Sequence, residues 1–451
     1  MKNNIKTILL FVLISIGGYA QDISTELPIL SPQSPTTNDL GKYGEVQVNE
    51  STGIISPSIP LFEYYAGAMS LPIVLNYSGN GVRVNQDPTW AGVNWNINPG
   101  GVITRVVKDE ADELIPASNR LYFSEADLEN LSGVREVNPN TCYLNTSTIW
   151  FNTLKHMTFE NVDTEVDVFN YNFLGYSGSF YLDVDNNVHL IKYDKELSIS
   201  FTLMPNNKSE FTIKTPDGNT YFFGGQNGSE SSRTYANIGA GSTVNVPFTQ
   251  NAFYLKTISF LNGGSVNYEY ETILESADYD YEVGIQESTA KTIDGTVQCN
   301  KKITHILGKI ERLVRLKKIT STFNSQSVEF DSEIRGRLIK LNNIYLKNGT
   351  TLLKKVHLNY TLLSNEQSVN ENKFFLTKVD FYDKNNQFEY DYELDYTNMA
   401  SFPSKNSFAQ DHLGFYNGKN TNTTLLPITN YTILNENCLF GLADREADFG
   451  Y

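Results

Sequence analysis

Leu255-Lys256-Thr257-Ile258, a turn at Asn262-Gly263-Gly264, then Val266-Asn267-Tyr268-Glu269-Tyr270 is the stretch that decides the fold. It reads as strand, turn, strand, with Asn and Gly supplying the turn. The same order recurs downstream. Leu316-Lys317-Lys318-Ile319 returns through Val328-Glu329-Phe330. Leu341-Asn342-Asn343-Ile344 turns at Asn348-Gly349 and ends at Tyr360. Leu376-Thr377-Lys378-Val379 turns at Lys384-Asn385-Asn386 and returns through Phe388-Glu389-Tyr390. A lone hairpin cannot bury its apolar face, whereas stacked hairpins share one. The irregular spacing makes this a divergent array rather than a regular propeller.

Hairpin signals continue towards the N-terminus. Pro216-Asp217-Gly218-Asn219 joins Phe211–Thr215 to Thr220–Gly224, and Asp185-Asn186-Asn187 follows Gly178–Leu182. Leu71, Ile73, Leu75 and Tyr77 share one strand face. Ser78-Gly79-Asn80-Gly81 is expected to turn that strand back through Val82-Arg83-Val84. The stretch from Ile115 to about Phe169 has no clean period, apart from an N-capped helical turn at Ser124–Leu128. Lys108–Glu113 reads as a solvated turn.

The first residues form a leader. Lys2 and Lys6 precede an apolar run over Ile8–Ile16, and Gly18-Tyr19-Ala20 offers a cleavage site. The expectation is therefore a signal peptide over 1–20 and an extended lead-in over 21–40. An N-terminal β-domain follows over 41–114, an irregular insertion over 115–175, and a hairpin-rich region over 176–451. The fold class is all-β, with a β-sandwich-like N-terminal domain followed by stacked hairpins. Tyr (27) and Phe (26) are abundant, which suits pleated sheet.

A formal charge of −16 argues against nucleic acid and against anionic lipid. Cys142, Cys299 and Cys438 are far apart, without metal-ligand spacing, and their pairing stays open. The five histidines are scattered, and none sits in a zinc spacing. Asp411-His412 are neighbours, and adjacent strand residues point apart. Asp183, Asp185 and Asn186 resemble a fragment of a calcium loop but read better as a polar hairpin turn. Asp278, Asp280 and Glu282 read as a solvated acidic stretch. No nucleophile elbow, phosphate loop or HExxH occurs. No catalytic, cofactor-binding or metal-binding residue is assigned. Trp90, Trp95 and Trp150 are candidates for stacking on a ligand, weighed against a core role for the first two around a bulge at Gly92.

Several blocks carry a resemblance. They are Gly41-Lys42-Tyr43-Gly44-Glu45, Ile59-Pro60-Leu61, Leu71–Tyr77, Trp90–Trp95 with Gly100–Arg105, Thr215–Gly218, Asn262–Val266 and Gln410–Lys419. In this order they resemble the N-terminal region of Rhs/YD-repeat secreted proteins of the Bacteroidetes. They are also distantly similar to the N-terminal β-domain of SpvB and of insecticidal toxin-complex proteins. Asn94 stands where the family pattern has Gly, and Asn tolerates positive φ better than most residues. The resemblance implies hairpins that wind into a β-shell, and it assigns no catalytic residue to this region.

The expected function is a non-catalytic structural or interaction module of a secreted or cell-surface assembly. Its partner would be another protein or the rest of an Rhs-type assembly. A surface adhesin or glycan-binding module is the alternative, and a carboxylate-dependent hydrolase a third reading. The mature chain is expected outside the cell or on its surface, with no membrane span once the leader is cleaved.

Overall fold

The computed structural model describes residues 54–425, apart from 68, 109–110, 113–164, 194–195, 205–207, 237–247, 274–280, 292–296, 336–337, 364–372, 406 and 424. For 233–236 and 281–312 it describes the backbone alone. The chain divides into two compact units, Met1–Gln47 and Val48–Tyr451. The first unit, and with it the leader and lead-in, lies outside the described residues. So do the helical turn at Ser124, Trp150, Cys142 and Cys438.

Strands dominate, as the composition led one to expect. β1 (Ser58–Tyr65), β2 (Ser70–Tyr77) and β3 (Trp95–Asn96) form a three-stranded antiparallel sheet. β1 and β2 alternate buried and exposed residues, and their inward side chains Ile59, Leu61, Leu71, Ile73 and Leu75 join the main core. Val82–Val84 does not return along β2, contrary to expectation. The place beside β2 is taken by β3, with Tyr77 opposite Trp95. Gly79 N–H donates instead to Ile55 O at 3.0 Å, which directs the chain away from β2.

The remaining strands form two sets of antiparallel ladders that share one long strand. The first set contains β4 (Val102–Val106), β5 (Val168–Phe173), β6 (Tyr176–Leu182) and β7 (Val188–Tyr193). The second begins with β8 (Ser198–Met204), β9 (Lys208–Lys214) and β10 (Thr220–Gly224). The shared strand is β12 (Thr249–Ser259), which follows β11 (Ser229–Ala236). Its first half pairs with β4 and β11, and its second half with β10. β11 continues the first set to β15 (Val297–Arg312) and β14 (Tyr281–Lys291). From β12 the second set runs on through β13 (Ser265–Thr272), β16 (Val314–Ser321), β17 (Gln326–Arg335) and β18 (Leu338–Asn348). It ends with β19 (Thr351–Leu362), β20 (Phe374–Tyr382) and β21 (Phe388–Glu393).

The four repeats are the hairpins β12–β13, β16–β17, β18–β19 and β20–β21. Their shared Leu-x-x-Ile/Val spacing has a physical cause. Residues three apart in a flat strand point to opposite faces. In all four repeats, however, Leu and Ile/Val are both buried: Leu255 with Ile258, Leu316 with Ile319, Leu341 with Ile344, Leu376 with Val379. The registers show why. Each first strand carries one extra residue just after its Leu, namely Lys256, Lys317, Asn342 and Thr377. This β-bulge brings the second apolar side chain back to the core face.

A bulge disrupts the local ladder and leaves a backbone carbonyl in need of a donor. Tyr270 Oη donates to Leu255 O at 2.9 Å, and Tyr360 Oη to Leu341 O at 2.7 Å. The fourth repeat is capped by Tyr396 Oη on Leu376 O at 2.8 Å. Burial pushes the Tyr270 and Tyr360 hydroxyls well above their ordinary value and Tyr396 up to about 12. All three thus stay protonated as donors at neutral pH. In the second repeat the residue opposite Leu341 is Ser332, where the other registers place Tyr270 and Tyr360. Ser332 Oγ is buried and has no partner among the described residues.

The polar turns follow one rule. Asp183 Oδ1 accepts from the backbone N–H of Asp185 and Asn187, and Asn186 sits at φ 63. Asp383 Oδ1 accepts from Asn385 and Gln387 in the same way, with Asn386 at φ 58. Asp closes each turn and Asn takes the left-handed position. This is the polar hairpin turn expected around Asp185-Asn186-Asn187.

Within Lys108–Glu113 the described residues 111 and 112 differ from the expected solvated turn. Ala111 and Asp112 are buried. Arg105 forms a buried ion pair with Asp167, whose carboxylate also accepts from the backbone N–H of Lys108 and Asp112. Asp112 returns a bond to the Asp167 N–H at 3.3 Å. The carboxylates are buried because a guanidinium and three backbone donors satisfy them.

Candidate functional site

Two regions outside the main core gather polar or aromatic side chains in a form that can engage a partner. The first is built from segments far apart in sequence. Val84 N–H donates to Gly414 O at 2.8 Å and Tyr416 N–H to Val82 O at 3.2 Å, so Arg83 faces Phe415 in a short antiparallel bridge. The Arg83 guanidinium lies 5.0 Å from the Phe415 ring centroid. Beneath them Val93, Leu363, Phe375 and Phe402 form a second, smaller core. Buried Lys373 Nζ donates to Val84 O at 2.6 Å, which holds the same segment from below.

A cavity of ≈ 660 Å³ opens between these segments. Asn94 forms part of its wall at φ 62, the left-handed conformation anticipated at this position. Asn94 Nδ2 donates to Gly81 O at 2.9 Å, and its Oδ1 accepts from Gln86 Nε2 at 2.8 Å. The Gln410–Phe415 loop is closed by Asp411, whose Oδ1 accepts from Leu413 and Phe415 N–H, both at 2.9 Å. Asp411 Oδ1 is thus engaged with its own loop backbone.

The second region is the end of the hairpin array. β21 has a register with β20 alone among the described strands. Phe388, Tyr390 and Tyr392 are spaced by two and are 55%, 47% and 43% exposed. Tyr390 stacks on buried Phe381 at 4.4 Å, so the stripe continues the core face past the point where the core is covered. The intervening Glu389, Asp391 and Glu393 alternate with it. Lys378 Nζ bridges Asp391 at 2.7 Å and Asp380 at 3.2 Å, which ties β21 to β20. Those two hydrogen bonds raise the ammonium above its ordinary value.

The tryptophans named from the sequence occupy different places. Trp95 is buried, packs on Tyr77 at 5.0 Å, and donates through Nε1 to Tyr396 Oη at 2.8 Å. Trp90 is half-buried, packs on Phe330 at 5.6 Å and donates to Ile97 O at 3.2 Å. The glycine between them is constrained: Gly92 has φ 103, and a Cβ there would meet Leu376 N at 3.1 Å. Trp95 and Trp90 are therefore engaged with the protein's own core. Both regions carry a signal in the sequence, the aromatic return strand of the fourth repeat and the Gln410–Lys419 block of the resemblance, though neither marks a binding residue there.

A cavity of ≈ 650 Å³ holds two carboxylates, Glu269 and Glu271, beside Arg315 and Lys317. Glu271 bonds Arg315 Nε at 2.8 Å, and Arg315 foremost holds its carboxyl below the ordinary value. A general acid needs the opposite shift. His189 Nε2 sits 2.8 Å from Asp183 Oδ2, and His357 Nδ1 2.8 Å from Asn343 Oδ1. Among the described residues no group of three or more His, Cys, Asp and Glu could hold a metal. Asp278 and Asp280 lie outside the described residues, as do the side chains of Glu282 and Cys299.

No family model and no curated protein matches the chain. Among solved structures it is similar to the crystal structure of TcdB2-TccC3, at 11% identity over 78% of this chain and 16% of that one, with a TM-score of 0.38. The Photorhabdus luminescens Tc holotoxin pore gives 11% identity over 76% and 16%, with a TM-score of 0.37. The N-terminal domain of effector protein SpvB from Salmonella typhimurium strain LT2 gives 11% identity over 76% of this chain and 99% of that one, with a TM-score of 0.28. The chain thus spans 16% of the length of the toxin-complex chains it matches, and likeness at this level assigns no activity.

Proposed function

We propose that this chain is a non-catalytic structural and interaction module of an exported Rhs/YD-type assembly. In this reading it docks on a protein partner by strand addition at β21. The observation that carries the reading is the aromatic edge of β21, which has one ladder partner among the described strands. A strand with one ladder partner offers a row of backbone donors and acceptors to another chain. Natural edges are usually blunted by charge or proline. β21 carries its charges at alternate positions only and keeps Phe388, Tyr390 and Tyr392 exposed between them. The partner strand would supply backbone hydrogen bonds and an apolar face to cover the three rings. The leader-like first residues support a location outside the cell or on its surface.

Amide exchange tests this directly. The free-edge amides of β21 are expected to exchange quickly in the purified chain and to be protected in the native particle isolated from the producer. Equal exchange in the two preparations would remove the docking role.

A further inference from the structure

The cavity between the Ser78–Asn96 segment and the Gln410–Phe415 loop carries an inference separate from the β21 edge. Its lining has an unusual charge pattern for this protein. The chain bears a formal charge of −16, yet among the described residues no carboxylate lines this cavity, and Arg83 is the single charged lining residue. Arg83 has no ion pair among the described residues, and its guanidinium carbon lies 5.0 Å from the Phe415 ring centroid. A guanidinium carries a planar fork of N–H donors that can meet a carboxylate with two parallel hydrogen bonds, and an aromatic ring beside it leaves that fork available.

The rest of the lining is amide and hydroxyl. Gln86 Nε2 donates to Asn94 Oδ1 and Asn94 Nδ2 to the Gly81 carbonyl, so that wall is fixed before any ligand arrives. Asn96 is exposed and its side chain has no hydrogen bond among the described residues. Asn80 accepts from Ser78 Oγ at 2.8 Å through Oδ1, and its amide N–H groups have no acceptor among the described residues. An amide both donates and accepts, which suits a ligand made of hydroxyl groups. The volume, ≈ 660 Å³, is in the range of small-molecule sites.

We propose that this cavity binds an acidic sugar of the hexuronate type, with its carboxylate on Arg83 and its hydroxyls on Asn80 and Asn96. One guanidinium and no second cation fit one planar monoanionic group. The amides fit the neutral polyhydroxylated remainder of the ring.

Calorimetric titration of the full chain with glucuronate, glucose, acetate and inorganic sulfate tests the assignment. Glucuronate is expected to bind saturably in the millimolar range, with the other three at least about tenfold weaker. Arg83→Gln is expected to weaken glucuronate by about tenfold or more, and Asn96→Ala by a smaller factor. Both side chains are exposed, and circular dichroism checks that each variant stays folded. Absence of saturation by about 50 mM glucuronate would overturn the proposal. Acetate or sulfate binding as well as glucuronate would overturn the sugar assignment. An unchanged affinity in folded Arg83→Gln would overturn the role of the guanidinium.

Discussion

The third and fourth hairpins are built on the same motif and end differently. In β18–β19 the bulge carbonyl of Leu341 is capped by Tyr360, from the hairpin's own return strand. In β20–β21 the return strand offers three aromatics, yet all three are exposed, and the cap on Leu376 comes from Tyr396, beyond the strand. That hydroxyl also accepts from Trp95, so the last bulge is fastened to the N-terminal sheet. The third hairpin is closed within itself and covered by its neighbour. The fourth is closed by a distant residue and leaves its own aromatics for something else. A repeat can therefore keep its internal chemistry while its outer face changes task.

The largest effect expected is at the bulge leucines. Leu341→Ala and Leu376→Ala each remove a fully buried side chain and should cost about 2–5 kcal/mol in denaturant unfolding. A loss well below that for Leu376→Ala would mean that the fourth hairpin is not held as the third is.

The caps come next. Tyr360→Phe leaves one bulge carbonyl without its donor, and about 1–3 kcal/mol is expected. Tyr396→Phe also strips Trp95 Nε1 of its acceptor, so its loss should be the larger of the two. The pH dependence has a definite sign. Burial raises Tyr396 to about 12, partly offset by the bond from Trp95, so the folded state retains the proton to higher pH than the unfolded chain. The stability is complete below the ordinary value of 10.0 and is lost as pH rises through about 12. Alkaline titration of Tyr396→Phe should show a shallower decline than the parent protein, and identical curves would sink the cap.

The smallest effect is expected in the second hairpin, where Ser332 stands opposite Leu341. Because its hydroxyl has no partner among the described residues, Ser332→Ala should be neutral or stabilising by up to about 1 kcal/mol. A clear destabilisation would show that this hairpin has a cap of its own.

The hairpins were legible in the sequence because turn chemistry and apolar spacing agree locally. Asn262-Gly263, Asp217-Gly218 and Asn348-Gly349 each lie at the turn between paired strands. The bulges were written in the same lines but are visible only once the three-residue spacing is set against a two-residue strand period. The tyrosine caps were hidden because their acceptors are carbonyls of other strands. Asp112 was misplaced for a similar reason, since Asp167 lies 55 residues away. The amide-lined cavity joins segments that the sequence separates even further, and no local pattern announces it. Trp95 shows the limit of residue type as a guide. As a tryptophan it is a candidate for stacking on a ligand as well as for the core, and its indole N–H meets Tyr396, 301 residues on.

The Arg105, Asp112 and Asp167 cluster has a consequence for protein engineering. β4 and β5 are direct antiparallel neighbours, with Val106 opposite Val168, and the ion pair seals the point where the chain departs and comes back. The two ends that flank residues 113–164 are therefore a fixed doorway whose two posts, Asp112 and Asp167, hold each other. Closing a loop depends only weakly on its length. The doorway should accept a short linker, or a foreign domain with adjacent termini, in place of those residues while the hairpin array behind it folds as before.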